Sequence, residues 1–598
     1  MSFPIFPMNT LKEVLARLTN DQLKSLMRWL PDAARAGKKD ELVREILRTL
    51  SGDGLHALWA RLDETQRLAV AETMYATDGL FHETRFQAKY GRLPDFTIKE
   101  NGRRYSHYGP PTALGLFLYH EDGGYSLPVD LCERLRPLVP QPEPIRLNTI
   151  GTLPEMRGED PLTVRSSERD AIVDLSVLLR LADQGKIQVS DKTSLPGATT
   201  LRLLTEKLVG GDFYAHQPKQ DQRDLDIGPL KAFSWPLLLQ AAGLVQRNGS
   251  KLALSTAGLK ALTASPASVL RTIWRKWLKS SQFDEFSRID IIKGQKSKGR
   301  VMTAAAPRRA VINEILQRCP VGAWINVDDF SRFMQATGHT FDVAHDPWKL
   351  YIVDQQYGSL GYDGPNAWAI LQFRYLLCFL FEYVATLGII DVAYIDPSEA
   401  RQDFGNVWGT DDLEFLSRYD GLVYFRLTPL GAYCLGVGED YTPTPIQLSV
   451  RLSVSSSLQV NVVGGHLSAE ESLTLDTWSI EEAGKSWRLD RQKALDAIEK
   501  GHDIAELRAF LQARDDQPLP EKVESFIKTS QKQGKALRII GTTLLIDCED
   551  AETAAMIATR KEAAGLCLRA GDRQLVVRLE NEEKFRALIR VLGLGITT

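Results

Sequence analysis

At Leu237-Leu238-Leu239-Gln240-Ala241-Ala242-Gly243-Leu244-Val245 the sequence predicts a helix that ends at a glycine. Asn248-Gly249 then predicts a tight hairpin turn, and Lys251-Leu252-Ala253-Leu254-Ser255 alternates as a returning strand does. A further helix is predicted from Thr256. A helix, a two-stranded wing and another helix in this order are typical of a winged-helix module.

The same order of elements is predicted a second time, further along the chain. A helix ends at Gly388, strands are predicted at 389–394 and 422–427, and a long polar insertion separates them. Thr428-Pro429-Leu430-Gly431 then matches Ser255-Thr256-Ala257-Gly258. This internal repeat predicts two tandem winged-helix modules.

The formal net charge of −3 argues against a wholly basic nucleic-acid-binding protein, so any DNA contact must come from local basic patches. The clearest patch is Lys293-Gly294-Gln295-Lys296-Ser297-Lys298-Gly299-Arg300, which contains no acid and continues to Arg308 and Arg309. Such a mobile loop could neutralise DNA phosphates, but the same composition also marks a solvated tether. Lys231, Arg247 and Lys251 flank the first predicted wing and are further candidate DNA contacts, although exposed lysines are common on wings.

The N-terminal segment contains two short basic motifs. Leu11-Lys12-Glu13-Val14-Leu15, a Leu-Lys-x-x-Leu segment, lies in a predicted helix, and Gly37-Lys38-Lys39-Asp40-Glu41-Leu42-Val43 begins another. Together they resemble the SAP-type helical hairpin, a small DNA-binding unit. The resemblance implies that Lys38, Lys39 and Arg44 contact phosphates, whereas an ordinary helical hairpin with a solvated basic turn is the alternative.

The C-terminal part alternates strands and helices in an order that points to a known family. It contains the strand Leu458-Gln459-Val460-Asn461-Val462-Val463, then Trp487-Arg488-Leu489-Asp490 before one helix and Leu544-Leu545-Ile546-Asp547-Cys548-Glu549-Asp550 before another. With Trp274-Arg275-Lys276-Trp277-Leu278 upstream, these segments resemble the N-terminal, helicase-associated region of XPB-type DNA helicases over roughly residues 165–598. The resemblance implies work on DNA beside a helicase motor.

No motor is predicted in the chain itself. Gly484-Lys485-Ser486 is the only Gly-Lys-Ser, and a phosphate-binding loop would need a glycine where Ser479 stands. Asp547-Cys548-Glu549-Asp550 reads as a strand end and a helix start, where carboxylates favour the helix dipole. The nine histidines and six scattered cysteines show no metal-ligand or disulfide spacing. We therefore predict a protein that is not an enzyme and uses no cofactor or metal.

Length and composition predict several domains with an α-rich α+β fold. The chain has 598 residues, 43% of them hydrophobic and 25% charged, which is too long for one core and ordinary for a globular protein. The predicted parts are a SAP-like hairpin (1–50), a helical or winged-helix-like domain (51–136), a proline-rich linker (137–164), a winged-helix domain (165–292), a basic loop (293–308), a second winged-helix domain with an insertion (309–440) and an XPB-like helicase-associated α+β domain (446–598).

These patterns predict a DNA-binding accessory or scaffold subunit that works with a separate helicase, ATPase or other DNA-processing subunit, in repair or in defence against foreign DNA. A protein–protein scaffold without direct DNA binding is the alternative, since winged helices also bind proteins and the net charge is acidic.

The start lacks an export signal, and the longest apolar stretch, 368–381, is too short for a membrane span and reads as a buried helix. We expect a cytoplasmic protein, or one associated with the nucleoid.

Overall fold

The computed structural model divides the chain into two compact units. The first unit comprises Met1–Gln447 and Ser468–Leu473, and the second comprises Leu448–Leu467 and Thr474–Thr598. The structure is mixed α+β, with 45% helix and 15% strand, which confirms the α-rich α+β prediction. The residues described are 9–31, 37–98, 109–121, 124–158, 160–214, 227–362, 368–398, 400–411, 413–442, 450–482, 486–515 and 517–597.

Residues 167–261 form the first repeat and have the element order of a winged helix. Its wing is a two-stranded sheet that pairs Val245–Asn248 with Lys251–Leu254, and Gln188 forms an isolated bridge to Lys251 at its edge. Because Asn248 pairs with Lys251, the turn residues are Gly249 and Ser250, one position later than predicted, and Gly249 takes a φ of 60°. The helices are Ser167–Asp183, Ala198–Lys207, Lys231–Ala241 and Thr256–Ala261.

Residues 305–435 form the second repeat, which follows the helix Pro266–Lys279. Its antiparallel sheet has the strand order Thr163–Arg165, Ile390–Tyr394, Leu422–Leu427, Trp324–Asn326. The first of these strands belongs to the predicted linker, which therefore ends in a paired strand rather than in free chain. The predicted basic loop also ends early, because a helix begins at Ala305. The helices are Ala305–Leu316, Val327–Ala336, a continuous run of Trp368–Gln372, Phe373–Cys378 and Phe379–Val384, and Pro429–Leu435.

The third helix of each repeat is buried. We call Lys231–Ala241 the first core helix and residues 368–384 the second core helix. Every residue from 231 to 239 is buried, and so is every residue from 373 to 384. The buried helix predicted at 368–381 is therefore confirmed.

The two repeats share one hydrophobic core. A single cluster of buried apolar side chains contains Leu238 of the first core helix and Leu377 of the second. Trp277, from the helix between the repeats, stacks on Tyr383 with ring centroids 4.8 Å apart. The predicted boundaries at 292 and 309 therefore separate two sequence patterns, not two independently packed domains.

The N-terminal part of the first unit has a hydrophobic cluster of its own. Ile46, in the predicted SAP-like hairpin, lies in the same cluster as Phe117, so residues 1–50 do not form a separate core. A short wing pairs Tyr119–Glu121 with Gly124–Ser126. The helices are Leu11–Arg17, Asn20–Met27, Lys39–Ser51, Gly54–Arg61, Glu64–Tyr75, Glu83–Tyr90, the short Ala113–Leu116, and Val129–Leu135.

The second unit contains two small sheets, each packed against helices. The four-stranded sheet has the order Arg451–Val454, Gln459–Gly464, Ser486–Leu489, Ser479–Glu482, and the three-stranded sheet has the order Thr543–Asp547, Gln574–Arg578, Cys567–Arg569. The helices after the first sheet are Arg491–Glu499, Ala505–Gln512 and Glu521–Gly534, and those beside the second are Ala551–Ala558 and Glu582–Val591. The helix Ala469–Trp478 precedes Ser479–Glu482 in the chain.

Candidate nucleic-acid interface

Lys231, one of the predicted DNA contacts, is buried at the start of the first core helix. Only 2% of Lys231 is exposed, and its Nζ lies 2.9 Å from a carboxylate oxygen of the buried Asp174. Burial raises the pKa of Asp174, while the charge of Lys231 lowers it in part. The predicted role of Lys231 in binding phosphate is wrong, because its charge is already paired inside the core.

Arg308 and Arg309 are also buried, and their predicted contacts with DNA are wrong as well. Arg309 Nε donates to Glu285 over 2.6 Å, and its remaining nitrogens donate to backbone carbonyls, including that of Trp277. Arg308 donates to both carboxylate oxygens of Asp284, over 2.8 and 3.1 Å. Both arginines therefore hold the start of the helix Ala305–Leu316 against the segment before it. The sequence could not distinguish these two arginines from the exposed cations of the basic loop, because a buried and an exposed arginine give the same local charge pattern.

The four other cations of the predicted patch are exposed. We call residues 293–300 the basic loop; its cations are Lys293, Lys296, Lys298 and Arg300. The loop is held in place, since the Lys293 N–H donates to the Tyr351 carbonyl over 2.7 Å and the Lys349 ammonium donates to the Lys298 carbonyl over 3.2 Å. Among the described residues, no carboxylate forms an ion pair with these four cations. The loop therefore presents uncompensated positive charge on a fixed backbone.

The wing of the first repeat carries a second group of exposed cations. Arg247 and Lys251 are exposed on its two strands, as predicted, and the Arg247 guanidinium donates to the Asp191 carbonyl. Lys186 and Lys192, which the sequence did not single out, are also exposed on either side of Gln188, the residue that bridges to this wing. The sequence alone does not show that these two lysines lie near Lys251, because that proximity follows from the bridge between Gln188 and Lys251.

The N-terminal basic residues have acidic neighbours. Lys38 and Arg44 are exposed and Lys39 is half-buried at the start of the helix Lys39–Ser51. Asp40 and Glu41 occupy the first turn of the same helix, and Arg44 Nε donates to the Asp40 carbonyl over 3.3 Å. This turn is therefore a weaker positive patch than the basic loop.

Neither core helix can enter a DNA groove. In helix-turn-helix proteins the recognition helix lies in the major groove and contacts base edges. Here the corresponding helices, Lys231–Ala241 and residues 368–384, are buried in the shared core. Contacts of these repeats with DNA are therefore expected from elements other than the two core helices.

An exposed group of aromatic side chains lies next to the basic loop, and the sequence reasoning missed it. We call Trp348, Tyr357, Tyr362 and Trp408 the aromatic patch; they are between 49% and 68% exposed. The rings of Trp348 and Tyr362 have centroids 4.8 Å apart, and those of Tyr357 and Trp408 are 6.5 Å apart. The available signal was the number of aromatic residues within the polar, glycine-containing segment 346–364.

A shallow cavity of about 600 Å³ opens within this patch. Its walls are aromatic and polar: Trp348, Tyr351, Val353, Asp354, Gln355, Gln356, Ser359 and Tyr362. Its single carboxylate, Asp354, already accepts the N–H of Gln356 over 2.7 Å. The cavity therefore offers ring faces and amides together with one exposed carboxylate, that of Asp354.

Other candidate chemistry is limited in the part of the chain that the structure describes. Asp550 caps the helix Ala551–Ala558 by accepting the Thr553 N–H over 2.7 Å, which confirms that the acidic segment is a strand end and a helix start. No group of three or more His, Cys, Asp or Glu side chains among the described residues could hold a metal ion. Within the same residues, no helix has the length and apolarity needed to cross a membrane. Gly484 and Lys485 lie outside the described residues.

The sequence matches no protein-family model, and no curated protein matches it significantly. The resemblances to SAP-type hairpins and to the XPB-type helicase-associated region therefore stay predictions.

Proposed function

We propose that this protein is a non-catalytic DNA-binding subunit that works beside a separate helicase or other DNA-processing enzyme. The observation that carries the proposal is the basic loop, whose four exposed cations lie on a fixed backbone without paired carboxylates among the described residues. Cations of this kind bind DNA by releasing counterions from phosphates, independently of sequence.

Contact through loops and wings fits a subunit that positions DNA without reading its bases. Phosphate contacts fix the register and orientation of a protein on DNA but carry no sequence information directly. With both core helices buried, the exposed cations Arg247 and Lys251 of the first wing are the further candidates for such contacts. We therefore expect weak sequence preference and strong dependence on salt.

A row of exposed apolar residues in the second unit favours a protein partner. Leu545, Val576 and Leu568 are neighbours across the three-stranded sheet, and Leu545 and Leu568 are 63% and 73% exposed. The alternate residues Leu575 and Val577 are fully buried on the other face. Contiguous exposed apolar side chains are one feature of protein interaction sites. This row is our candidate docking site for the enzyme subunit, and it is also what favours the alternative of a protein scaffold that does not bind DNA.

The test is binding of the full chain to a fluorescently labelled 30-base-pair duplex, measured by anisotropy at several salt concentrations. The variant replaces Lys293, Lys296, Lys298 and Arg300 with glutamate. We expect the affinity to fall at least about 10-fold, because four phosphate contacts are lost and four repulsive charges are added.

A matched control makes the same change in net charge elsewhere. Lys500, Lys528, Lys532 and Lys535 are all exposed in the second unit, and their replacement with glutamate should leave affinity within about 3-fold of the wild type. Equal losses in both variants, or no measurable binding by the wild type at moderate salt, would leave the protein-scaffold alternative as the better explanation.

A further inference from the structure

Two rings of the aromatic patch, those of Trp348 and Trp408, pack against glycines, and the Tyr362 ring packs against Trp348. A Cβ on Gly361 would lie 2.3 Å from Cδ2 of Trp348, and a Cβ on Gly358 would lie 2.5 Å from Cε3 of Trp408. Each indole therefore packs directly on backbone and cannot turn away without losing that contact. The exposed ring faces are consequently pre-organised, which lowers the entropy that a ligand would have to remove on binding.

The patch and the basic loop form one continuous surface. Lys293 bridges to Tyr351, and Tyr351 bridges in turn to Ser359, so the loop and both edges of the cavity are paired by backbone. A close approach makes this possible, since a Cβ on Gly294 would lie 1.9 Å from the Lys349 carbonyl oxygen, and Gly294 takes a φ of 86°. Exposed cations on a fixed backbone and the rings of Trp348 and Tyr362 thus lie side by side on the same part of the first unit.

The complementary ligand must combine flat aromatic groups with regularly spaced negative charge. Single-stranded DNA has both, and proteins bind it with a cationic track and with aromatic side chains on which bases stack. Duplex DNA offers only its phosphates to such a surface, because its base faces are already stacked and paired.

We infer that the aromatic patch and the basic loop together bind single-stranded DNA, with bases stacked on Trp348 and Tyr362 and phosphates bound by Lys293, Lys296, Lys298 and Arg300. This inference rests on the proposed DNA-binding function and names the form of DNA that the site takes. Such a site would suit a subunit placed where a motor separates two strands.

The test uses the full chain and three labelled probes of about 20 nucleotides: oligodeoxythymidine, an abasic deoxyribose-phosphate strand of equal length, and a duplex. The variant combines Trp348→Ala with Tyr362→Ala. We expect its affinity for oligodeoxythymidine to fall at least about 10-fold, and its affinity for the duplex and the abasic strand to stay within about 3-fold.

The control combines Trp348→Phe with Tyr362→Phe, which keeps two rings in place and should retain most of the affinity. The slope of log affinity against log salt should be unchanged in both aromatic variants, because no phosphate contact is removed. In the wild type, oligodeoxythymidine should also quench tryptophan fluorescence more than the abasic strand does.

The inference is overturned if the alanine variant binds oligodeoxythymidine as the wild type does, or if the abasic strand binds as tightly as oligodeoxythymidine. In either case the proposed function stands as long as charge reversal in the basic loop still weakens DNA binding. If the wild type binds none of the three probes, both proposals fail.

Discussion

The Ser234 hydroxyl lies 3.3 Å from the Thr386 hydroxyl, although 152 residues separate them in the chain. Ser234 belongs to the first core helix, and Thr386 follows the second. This contact joins the two repeats at the element that many winged-helix proteins place in DNA. The repeats therefore use their third helices to build a core with each other, and leave wings and loops for ligands.

The first prediction concerns the glycine that both repeats share. A Cβ on Gly258 would lie 2.0 Å from the Leu244 carbonyl oxygen, and a Cβ on Gly431 would lie 2.0 Å from that of Ile389. We expect Gly258→Ala and Gly431→Ala each to destabilise the fold by about 1–3 kcal/mol, as an overpacked core does. The measurement is the urea midpoint of the tryptophan signal.

Gly151→Ala is the matched control for these variants, because nothing lies within 4 Å of its Cβ position. It should change stability by less than about 0.5 kcal/mol. A repeat whose glycine tolerates alanine as well as Gly151 does would show that the close strand-to-helix approach is not required.

The second prediction separates the buried arginine from the exposed lysine. Arg309→Met leaves Glu285 buried without its ion-pair partner, and should cost about 3–5 kcal/mol of stability. Lys298→Met should cost less than about 0.5 kcal/mol, because Lys298 is exposed. Urea unfolding compares the two, and similar costs would contradict the burial of Arg309.

The third prediction is the pH dependence of the Arg309→Met variant. Burial raises the pKa of Glu285, and the neighbouring Arg309 charge opposes that shift. Removing Arg309 raises the pKa further, so Glu285 is tolerated in its protonated form at low pH and becomes costly as pH rises through its folded-state pKa. The loss of stability should therefore be larger at pH 8 than at pH 5. A loss that is equal at both values would mean that Glu285 finds another partner.

The fourth prediction concerns the salt dependence of duplex binding. Each phosphate contact contributes about 0.9 to the slope of log affinity against log salt. Replacing all four basic-loop cations with alanine should reduce the slope by up to about 4, and replacing Arg247 and Lys251 with alanine by at most about 2. If the wing variant reduces the slope more than the loop variant does, the main DNA contact lies on the wing and not on the basic loop.

The fifth prediction concerns the free thiols. Burial raises the pKa of Cys319 and of Cys434 to about 12. At pH 8 each of these thiols is therefore deprotonated in only about one molecule in ten thousand. Iodoacetamide should therefore label neither residue in the native protein and both in urea, as mass spectrometry would detect. Cys132 is only half-buried and serves as the internal control, because it should react first as pH rises. Rapid native labelling of Cys319 would contradict the shared core.

The repeated Ser/Thr-x-x-Gly sequence was the most informative local signal for the fold, and the hydrogen bonds of its hydroxyl group explain why. The Ser255 hydroxyl donates to the Gly243 carbonyl over 2.7 Å and accepts the Gly258 N–H. Thr428 does the same with Gly388, again over 2.7 Å, and with Gly431. The bond to the glycine three residues later is local and leaves a pattern in the sequence, whereas the bonds to Gly243 and Gly388 span 12 and 40 residues and became visible only in the structure.

The sequence by itself determined the α-rich α+β class, the order of elements in each repeat and the position of the basic loop, because periodicity, caps, turns and charge runs depend on residues close in the chain. Only the tertiary structure decided that the two repeats share one core, that Lys231, Arg308 and Arg309 are inside it, and that four aromatic side chains lie outside beside the loop. Burial depends on which distant segments meet, and the free energy that decides this is a sum over long-range apolar contacts that no local pattern contains.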